Sequence, residues 1–300
     1  MATPISARTG LLGVLGDPVG HSLSPAMHNA ALAELGLDWV YLGLPVQAGQ
    51  LEAAVRGLEA IGCRGLNVTI PHKQAVAALC RQLTPLADRV GAVNTLVPLE
   101  GGGWLGTNTD VEGFLAPLRQ QPWTGRRAVV LGNGGSARAV VAALVELGLG
   151  SISVVGRRAE SLDDFASSCS AWAPQLTTQP VSQLNPDCTD PTLIDLLAAA
   201  DLVVNTTPVG MHSAADMNSG LCPLSEQACA ALQPGATVYD LIYVPRPTRL
   251  LRQASARGCR SLDGLTMLVH QGAAALRLWS GLTTVPLATM TAAAEAALSG

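Results

Sequence analysis

The chain has 300 residues, of which 48% are hydrophobic and 13% are charged, so it has material for two domains with sizeable cores. This composition excludes a disordered chain. A net charge of −4 without any block of Lys or Arg disfavours nucleic acid and anionic membranes as partners, and we expect a small-molecule partner instead.

The cysteines indicate a reducing compartment. The seven cysteines are scattered, odd in number and never spaced C-x-x-C, which argues against a disulfide framework and against a zinc site. The N-terminal apolar run is short, and no uncharged stretch reaches about 18 consecutive apolar residues. We therefore expect neither a signal peptide nor a membrane span, and a cytoplasmic location.

The first third of the chain alternates predicted strands with predicted helices. The strands are expected at 11–15, 41–44, 65–70, 92–97 and 104–106. The helices are expected at 24–35 and 51–61, with further helices opening at Pro71 and near Val111. This alternation is typical of an α/β domain.

Polar residues follow several of these strands. Ser22 and Ser24 lie beside a helix N-terminus, where hydroxyls suit a carboxylate; the alternative is that they form only a turn, with Ser24 as N-cap. Thr69 and Lys73 follow the third strand, at the edge where open α/β sheets bind ligands. A lone lysine is usually a surface charge, and an Asp such as Asp110 before a helix is usually an N-cap.

The most specific motif lies within 126–145. A buried strand at 128–131 runs into Gly132-Asn133-Gly134-Gly135-Ser136-Ala137, which fits G-x-G-x-x-G/A, and a helix and a second strand at 151–155 follow. Gly132 would permit the tight turn, and Gly134 would let the backbone approach a pyrophosphate at the helix N-terminus. The motif predicts a dinucleotide site in a Rossmann-like domain; the alternative is that the glycines only form a turn.

The residues after the second strand bear on the cofactor. An NAD site usually places Asp or Glu about 20 residues after the glycine motif, whereas this chain has Gly156-Arg157-Arg158 there. A guanidinium favours the 2′-phosphate of NADP, unless these arginines are only part of a solvated loop.

The rest of the chain continues with α/β units and ends in helices. We expect a helix from about Leu162, a less regular polar stretch, and strands at 202–205 and 238–241. Helices are then predicted at 248–258, 264–279 and 285–298.

Eight segments, most of them polar loops, are informative when they are considered together. They are GDPVGHSLSPAMHN from Gly16, NVTIPHK from Asn67, GAVNTL from Gly91, GTNTD ending at Asp110, GNGGSARA from Gly132, NTTPVGM from Asn205, DLIYVP from Asp240 and DGLTMLVHQG from Asp263. Most of these residues are polar loop positions, where core packing gives no reason for unrelated proteins to have the same residues. In sequence and order they resemble the shikimate dehydrogenase family over nearly the whole chain.

The resemblance implies reversible reduction of 3-dehydroshikimate to shikimate with NADPH, on the route to chorismate and the aromatic amino acids. It implies an N-terminal substrate domain (1–110 and 265–300) and a Rossmann-like NADP-binding domain (111–264), with the C-terminal helices returning to the substrate domain. No metal is implied, and both a monomer and a homodimer remain open.

The resemblance also implies the site residues. The substrate carboxylate would be held by Ser22, Ser24 and Tyr243. The ring hydroxyls and the reacting oxygen would be met by Thr69, Lys73, Asn94, Asp110 and Gln271, with Lys73 and Asp110 as the catalytic pair, because a ring alkoxide needs a proton donor within reach. The cofactor would be lined by Gly132, Asn133, Gly134, Gly135, Ser136, Arg157, Arg158, Leu241 and Gly264.

Two departures and two rival functions accompany this prediction. Gly156 replaces a common Asn, and Pro85 stands where an acidic residue is common. A quinate or dual-specificity quinate/shikimate dehydrogenase is the nearest alternative, against which both serines of the carboxylate loop argue. A non-catalytic sensor of shikimate-pathway metabolites is the other, and it would have no reason to keep Lys73 together with Asp110.

Overall fold

The computed structural model describes residues 5–119, 121–211 and 220–299. The chain forms two compact units, a first unit of Met1–Gly113 with Leu268–Gly300 and a second unit of Phe114–Met267. Each contains a six-stranded sheet, so the predicted class of two α/β domains is confirmed. Within the described ranges, no helix is long and apolar enough to cross a membrane.

The first unit has a mixed sheet. Its strands are β1 (Gly10–Gly16), β2 (Trp39–Pro45), β3 (Gly65–Val68), β4 (Gln82–Leu83), β5 (Thr95–Pro98) and β6 (Trp104–Thr107), in the order β2-β1-β3-β5-β6-β4. Strand β1 pairs in parallel with β2 and β3, whereas β5 is antiparallel to β3 and β6. The carboxyl ends of β1 and β3 therefore meet at one edge of the sheet.

Helices from both ends of the chain belong to the first unit. They are α1 (Ser24–Glu34), α2 (Leu51–Ala60), α3 (Pro85–Val90) and the start of α4 (Asp110–Leu115), joined by most of α10 (Gly264–Ser280) and by α11 (Leu287–Ser299). Helix α11 packs on α1, which confirms the predicted return of the C-terminal helices.

The second unit has a wholly parallel sheet. Its strands are β7 (Arg127–Leu131), β8 (Ser151–Gly156), β9 (Leu176–Pro180), β10 (Leu202–Asn205), β11 (Thr237–Asp240) and β12 (Arg260–Leu262), in the order β12-β11-β10-β7-β8-β9. Its helices are α5 (Gly135–Glu146), α6 (Ala159–Cys169), α7 (Pro191–Ala198), α8 (Glu226–Ala230) and α9 (Arg249–Ala256). The strand order reverses between β7 and β10, the arrangement in which doubly wound sheets bind dinucleotides at their strand ends.

The predicted helix opening at Pro71 is wrong. The chain turns there and forms only a short 3-10 helix at Ala75–Leu79. The reason is that backbone and side-chain groups of the turn are bonded to other segments: the carbonyl of Lys73 accepts a hydrogen bond from Val93 N at 2.7 Å, and the His72 ring lies 2.6 Å from the carbonyl of Val46.

The expectation that Ser24 is an N-cap is also wrong. Leu23 occupies the cap position of α1 and Ser24 is the first helical residue. The backbone N–H of Ser24 donates to Ser22 Oγ at 3.2 Å, so the Ser22 side chain bonds the start of the helix instead.

The polar stretch predicted to be less regular contains two elements. Strand β9 is an edge strand of alternating, half-buried polar residues, which gives little hydrophobic signal. Helix α7 follows Asp190, whose side chain caps Thr192 N and Leu193 N, with Pro191 in the first turn. This Asp-Pro start is a sequence signal that the prediction did not use.

A close approach at Gly65 joins the C-terminal helix α10 to the sheet of the first unit. The indole N–H of Trp279 donates to the carbonyl of Leu96 at 3.0 Å, and a Cβ on Gly65 would lie 2.2 Å from Trp279 Nε1. Only a glycine at position 65 leaves room for the Trp279 ring to lie against β3 while its N–H bonds Leu96.

We predict that Gly65→Ala lowers the free energy of unfolding by roughly 1–3 kcal/mol, because the added methyl group overpacks the Trp279 ring. The control is Gly57→Ala in α2, where an added Cβ meets open space and the better helix propensity of Ala should stabilise by up to about 1 kcal/mol. Urea unfolding of both variants measures the effect. Equal stability of Gly65→Ala and wild type would contradict this packing.

Candidate active site

Lys73 and Asp110 form an ion pair in the first unit. Lys73 lies in the turn after β3, Asp110 begins α4, and Lys73 Nζ is 2.6 Å from Asp110 Oδ2. Only 14% of the lysine side chain and 6% of the aspartate side chain are exposed. Because the Lys73 side chain is largely buried and paired, the interpretation of Lys73 as a solvated surface charge is wrong. Lys73 is also the only lysine of the chain.

Asn94 holds the other oxygen of the Asp110 carboxylate. Its Nδ2 donates to Asp110 Oδ1 at 2.8 Å, and its Oδ1 accepts from the backbone N–H of Thr109 at 2.7 Å. A backbone N–H can only donate, so the orientation of the Asn94 amide is fixed. The Asp110 side chain thus binds an ammonium and an amide, and its interpretation as a simple N-cap does not hold.

Helix α10 brings Gln271 to the same cluster. Gln271 Nε2 donates to the carbonyl of Leu268 at 2.9 Å, and its Oε1 lies 3.4 Å from Asn94 Nδ2 and 3.5 Å from Thr109 Oγ1. The two contacts made by Oε1 are long, so this oxygen is the least firmly bound acceptor of the cluster.

Three further predicted residues lie at the ends of β1 and β3. Thr69 is half-buried and its N–H donates to the carbonyl of Leu15 at 2.8 Å. A Cβ on Gly16 would lie 2.4 Å from Thr69 Cγ2, so glycine is needed beside it. Ser22 is half-buried, whereas Ser24 is buried.

Sequence reasoning missed the buried polar residues beneath Asn94. The Tyr41 hydroxyl donates to Asn67 Oδ1 at 2.7 Å, and Asn67 Nδ2 donates to Thr95 Oγ1 at 3.1 Å. The Tyr41 ring stacks on His28 at 4.3 Å, and burial lowers the pKa of His28 to about 3. The available signal was Asn67, a polar residue within an otherwise apolar strand.

The glycine turn of the second unit joins β7 to α5. Gly132 has a φ of +98°, and a Cβ there would lie 2.8 Å from Thr206 Oγ1. Gly134 is exposed with open space around its Cβ direction, and Gly135 and Ser136 form the first turn of α5. Asn133 Nδ2 donates to Ser161 Oγ at 2.8 Å and so ties the turn to α6. This turn fits the pyrophosphate of a dinucleotide.

The arginine pair lies directly after β8. Arg157 and Arg158 are both exposed, and Arg158 is the residue before α6. A Cβ on Gly156 would lie 3.0 Å from Leu162 Cδ2 and 3.1 Å from Asn133 Oδ1. A side chain at position 156 would therefore require Leu162 and Asn133 to shift by a few tenths of an ångström.

Leu241 and Tyr243 follow β11, and Gly264 begins α10 close to Leu241. A Cβ on Gly264 would lie 1.9 Å from the carbonyl oxygen of Leu241, so only glycine permits the start of α10 to pass there. Tyr243 is half-buried in the second unit, and burial raises the pKa of its phenol, which keeps it a neutral donor.

A buried carboxylate organises the loops at this end of the second sheet. Asp240 accepts hydrogen bonds from Asn205 Nδ2 at 2.9 Å and from Thr248 Oγ1 at 2.7 Å, and burial raises its pKa to about 6. Asn205 Oδ1 in turn accepts from the backbone N–H of Thr207 at 3.0 Å. The hydrogen bond between Asn205 and Asp240 thus joins the two motifs that begin at these residues.

Comparisons with known proteins agree with this geometry. The family model described as Shikimate dehydrogenase substrate binding domain matches residues 14–96, and the one described as Shikimate 5'-dehydrogenase C-terminal domain matches residues 264–295. A shikimate dehydrogenase (NADP(+)) of Synechococcus sp. (strain JA-2-3B'a(2-13)) is 51% identical over 97% of this chain and 96% of its own length.

Solved structures show the same fold. The shikimate 5-dehydrogenase of Thermus thermophilus, in complex with NADP(H) and shikimate, superposes with a TM-score of 0.81 at 36% identity, covering 96% of this chain and all (100%) of that one. A ligand-free 5-ketofructose reductase of Gluconobacter sp. strain CHM43 has the same TM-score of 0.81 at 32% identity, covering 97% and 99%. The fold alone therefore does not fix the substrate.

The identity of 51% extends over nearly the full length of both chains, and the polar motifs of the resemblance recur in the observed clusters. On these grounds the chain belongs to the shikimate dehydrogenase family.

Proposed function

We propose that this chain catalyses the reversible, NADPH-dependent reduction of 3-dehydroshikimate to shikimate, on the route to chorismate and the aromatic amino acids. The observation that carries the proposal is the buried Lys73–Asp110 pair, with Lys73 Nζ 2.6 Å from Asp110 Oδ2. The relatives named shikimate dehydrogenase (NADP(+)) support the substrate and the cofactor.

The pair has the chemistry that this reaction needs. When bound, NADPH supplies the hydride. Reduction of a ring ketone leaves an alkoxide, which Lys73 neutralises by donating a proton from Nζ; oxidation of the alcohol uses the same nitrogen as base. Asp110 holds the Lys73 ammonium in place and helps to bind the substrate.

Other residues of the first unit bind the rest of the substrate. Thr69, Asn94 and Gln271 meet the ring hydroxyls, and the long contacts of Gln271 Oε1 make it the acceptor most readily transferred to a substrate hydroxyl. Ser22 and Ser24, with Tyr243, donate hydrogen bonds to the carboxylate. We assign substrate binding to 1–110 and 265–300.

We assign NADP binding to 111–264. The turn from Gly132 to Ser136 receives the pyrophosphate, because Gly134 is open to solvent and no side chain caps the N-terminus of α5, where helical N–H groups favour an anion. Arg157 and Arg158 meet the 2′-phosphate, and Leu241 and Gly264 line the remainder. The seven cysteines, all of them free thiols, support a cytoplasmic location.

The test is the change in NADPH or NADH absorbance with shikimate and quinate, each paired with NADP and NAD. We expect activity with shikimate and NADP to exceed the other three pairings. Turnover of quinate at a comparable rate would favour the dual-specificity alternative. Binding of shikimate without any turnover would favour a sensor.

We predict that Lys73→Met lowers kcat by about 10²–10⁴-fold, because a positioned acid–base group contributes that much. Shikimate binding should survive, since the carboxylate and ring contacts remain. Steady-state kinetics together with calorimetry of shikimate binding separate the two effects. The control is Arg56→Met, which removes an exposed cation of α2 in the same unit. A kcat of Lys73→Met within threefold of wild type would exclude this role.

We predict that Arg157→Ala raises KM for NADP by roughly ten- to a hundredfold and leaves KM for NAD nearly unchanged, because only NADP carries the 2′-phosphate. Initial rates at varied cofactor concentrations check this. Arg257→Ala, which removes another exposed arginine of the second unit, should change neither value. An equal rise in KM for both cofactors would contradict the assignment of Arg157 to the 2′-phosphate.

A further inference from the structure

An unbroken series of buried hydrogen bonds leads from Tyr41 to the Asp110 carboxylate. The Tyr41 hydroxyl donates to Asn67 Oδ1 at 2.7 Å, and Asn67 Nδ2 donates to Thr95 Oγ1 at 3.1 Å. Thr95 Oγ1 donates to Asn94 Oδ1 at 3.0 Å, and Asn94 Nδ2 donates to Asp110 Oδ1 at 2.8 Å. All five residues are buried. We call these four bonds the donor chain.

The direction of the donor chain is set by backbone groups at two points. Asn67 Nδ2 also lies 3.2 Å from the carbonyl of Asn94, which can only accept, so Asn67 Oδ1 must face Tyr41. The backbone N–H of Thr109 can only donate to Asn94 Oδ1, so Asn94 Nδ2 must face Asp110. Both amides therefore donate towards the carboxylate. The Thr95 hydroxyl, which accepts from Asn67, has Asn94 Oδ1 at 3.0 Å and Thr109 Oγ1 at 3.1 Å as acceptors, and Thr109 Oγ1 in turn lies 3.2 Å from Asn94 Oδ1, so both routes end on Asn94.

We propose that Tyr41, Asn67 and Thr95 are positioning residues for the proton-transfer pair, acting on Asp110 and Lys73 through Asn94. The proposal rests on the proposed function, since it assigns the pair its proton transfer. Hydrogen bonds in series polarise one another in a low-dielectric interior, so the last donor, Asn94 Nδ2, holds Asp110 Oδ1 more firmly than it would alone. With that oxygen fixed, Oδ2 is fixed against Lys73 Nζ, and a catalytic group must be held to within a fraction of an ångström.

Tyr41 is a firm starting point for the donor chain. Its ring is fully buried, stacked on His28 at an interplanar angle of 8° and tilted against Trp279. Burial raises the pKa of Tyr41 well above its ordinary value, against the opposing effect of a hydrogen bond with Ser24. The phenol therefore stays protonated and remains a donor.

The second unit offers a matched control. Tyr239 is also fully buried and stacked, on Phe114 at 4.9 Å, but its hydroxyl has no hydrogen-bond partner in the part of the chain that the structure describes. Tyr239→Phe and Tyr41→Phe therefore remove the same atom from a buried, stacked ring. Only Tyr41→Phe removes a donor from the chain that ends on Asp110.

The experiment compares Tyr41→Phe, Thr95→Val and Thr95→Ser with Tyr239→Phe and wild type, in kcat, KM for shikimate and urea midpoint. We expect Tyr41→Phe and Thr95→Val to lower kcat about tenfold with KM changed less than about threefold, because the substrate contacts stay while the acid–base geometry loosens. Thr95→Ser keeps the hydroxyl but loses a buried methyl, so it should lose stability and retain kcat. Tyr239→Phe should retain kcat.

A double variant, Tyr41→Phe with Thr95→Val, should lower kcat little more than either change alone, since each breaks the same series of bonds. A wild-type kcat in Tyr41→Phe and Thr95→Val would overturn the proposal, as would an equal loss in Thr95→Ser or Tyr239→Phe. If Thr95→Val does not fold, the comparison of kcat between Tyr41→Phe and Tyr239→Phe decides the question. Failure of the proposed function is distinct, because wild type itself would then not turn over shikimate with NADP.

Discussion

The carboxylate of Asp110 is the constraint on which the first unit depends. A buried charge is tolerated only when it is paired and hydrogen-bonded, and truncating one partner of such a pair typically costs about 3–5 kcal/mol. Asp110 meets this requirement with Lys73 on one oxygen and Asn94 on the other. Because these three residues come from the turn after β3, the approach to β5 and the start of α4, the fold must bring those elements together.

The second unit depends on close backbone approaches and on a buried carboxylate of its own. Gly132 and Gly264 stand where a Cβ would meet Thr206 Oγ1 or the carbonyl of Leu241, so the loops at the ends of β7 and β11 pass too close for any side chain. Asp240 joins neighbouring loops by accepting from Asn205 and Thr248. Each unit thus contains a buried carboxylate that is held by hydrogen bonds near the ends of its strands.

Local patterns made much of this predictable. The strand, glycine turn and helix within 126–145 follow from the spacing of the apolar residues and from the conformational freedom of glycine. The resemblance indicated which polar loops belong to the proposed site. What local pattern alone did not predict depends on distant contacts. Gln271, which only the resemblance indicated, reaches Asn94 from 177 residues away, and Pro71 opens no helix because other segments take the hydrogen bonds of the turn. Tyr41 lies in a strand without any local sign that its hydroxyl has a buried partner.

The proposed contact of Lys73 with the substrate can be measured directly because of the composition of the chain. Lys73 is the only lysine, so protein grown with [ε-¹³C]lysine gives a single side-chain NMR signal from the carbon bonded to Nζ. We predict that saturating shikimate, without cofactor and therefore without turnover, shifts this signal by placing a ring hydroxyl within hydrogen-bond distance of Nζ. An unshifted signal, with shikimate binding verified by calorimetry on the same sample, would contradict the account.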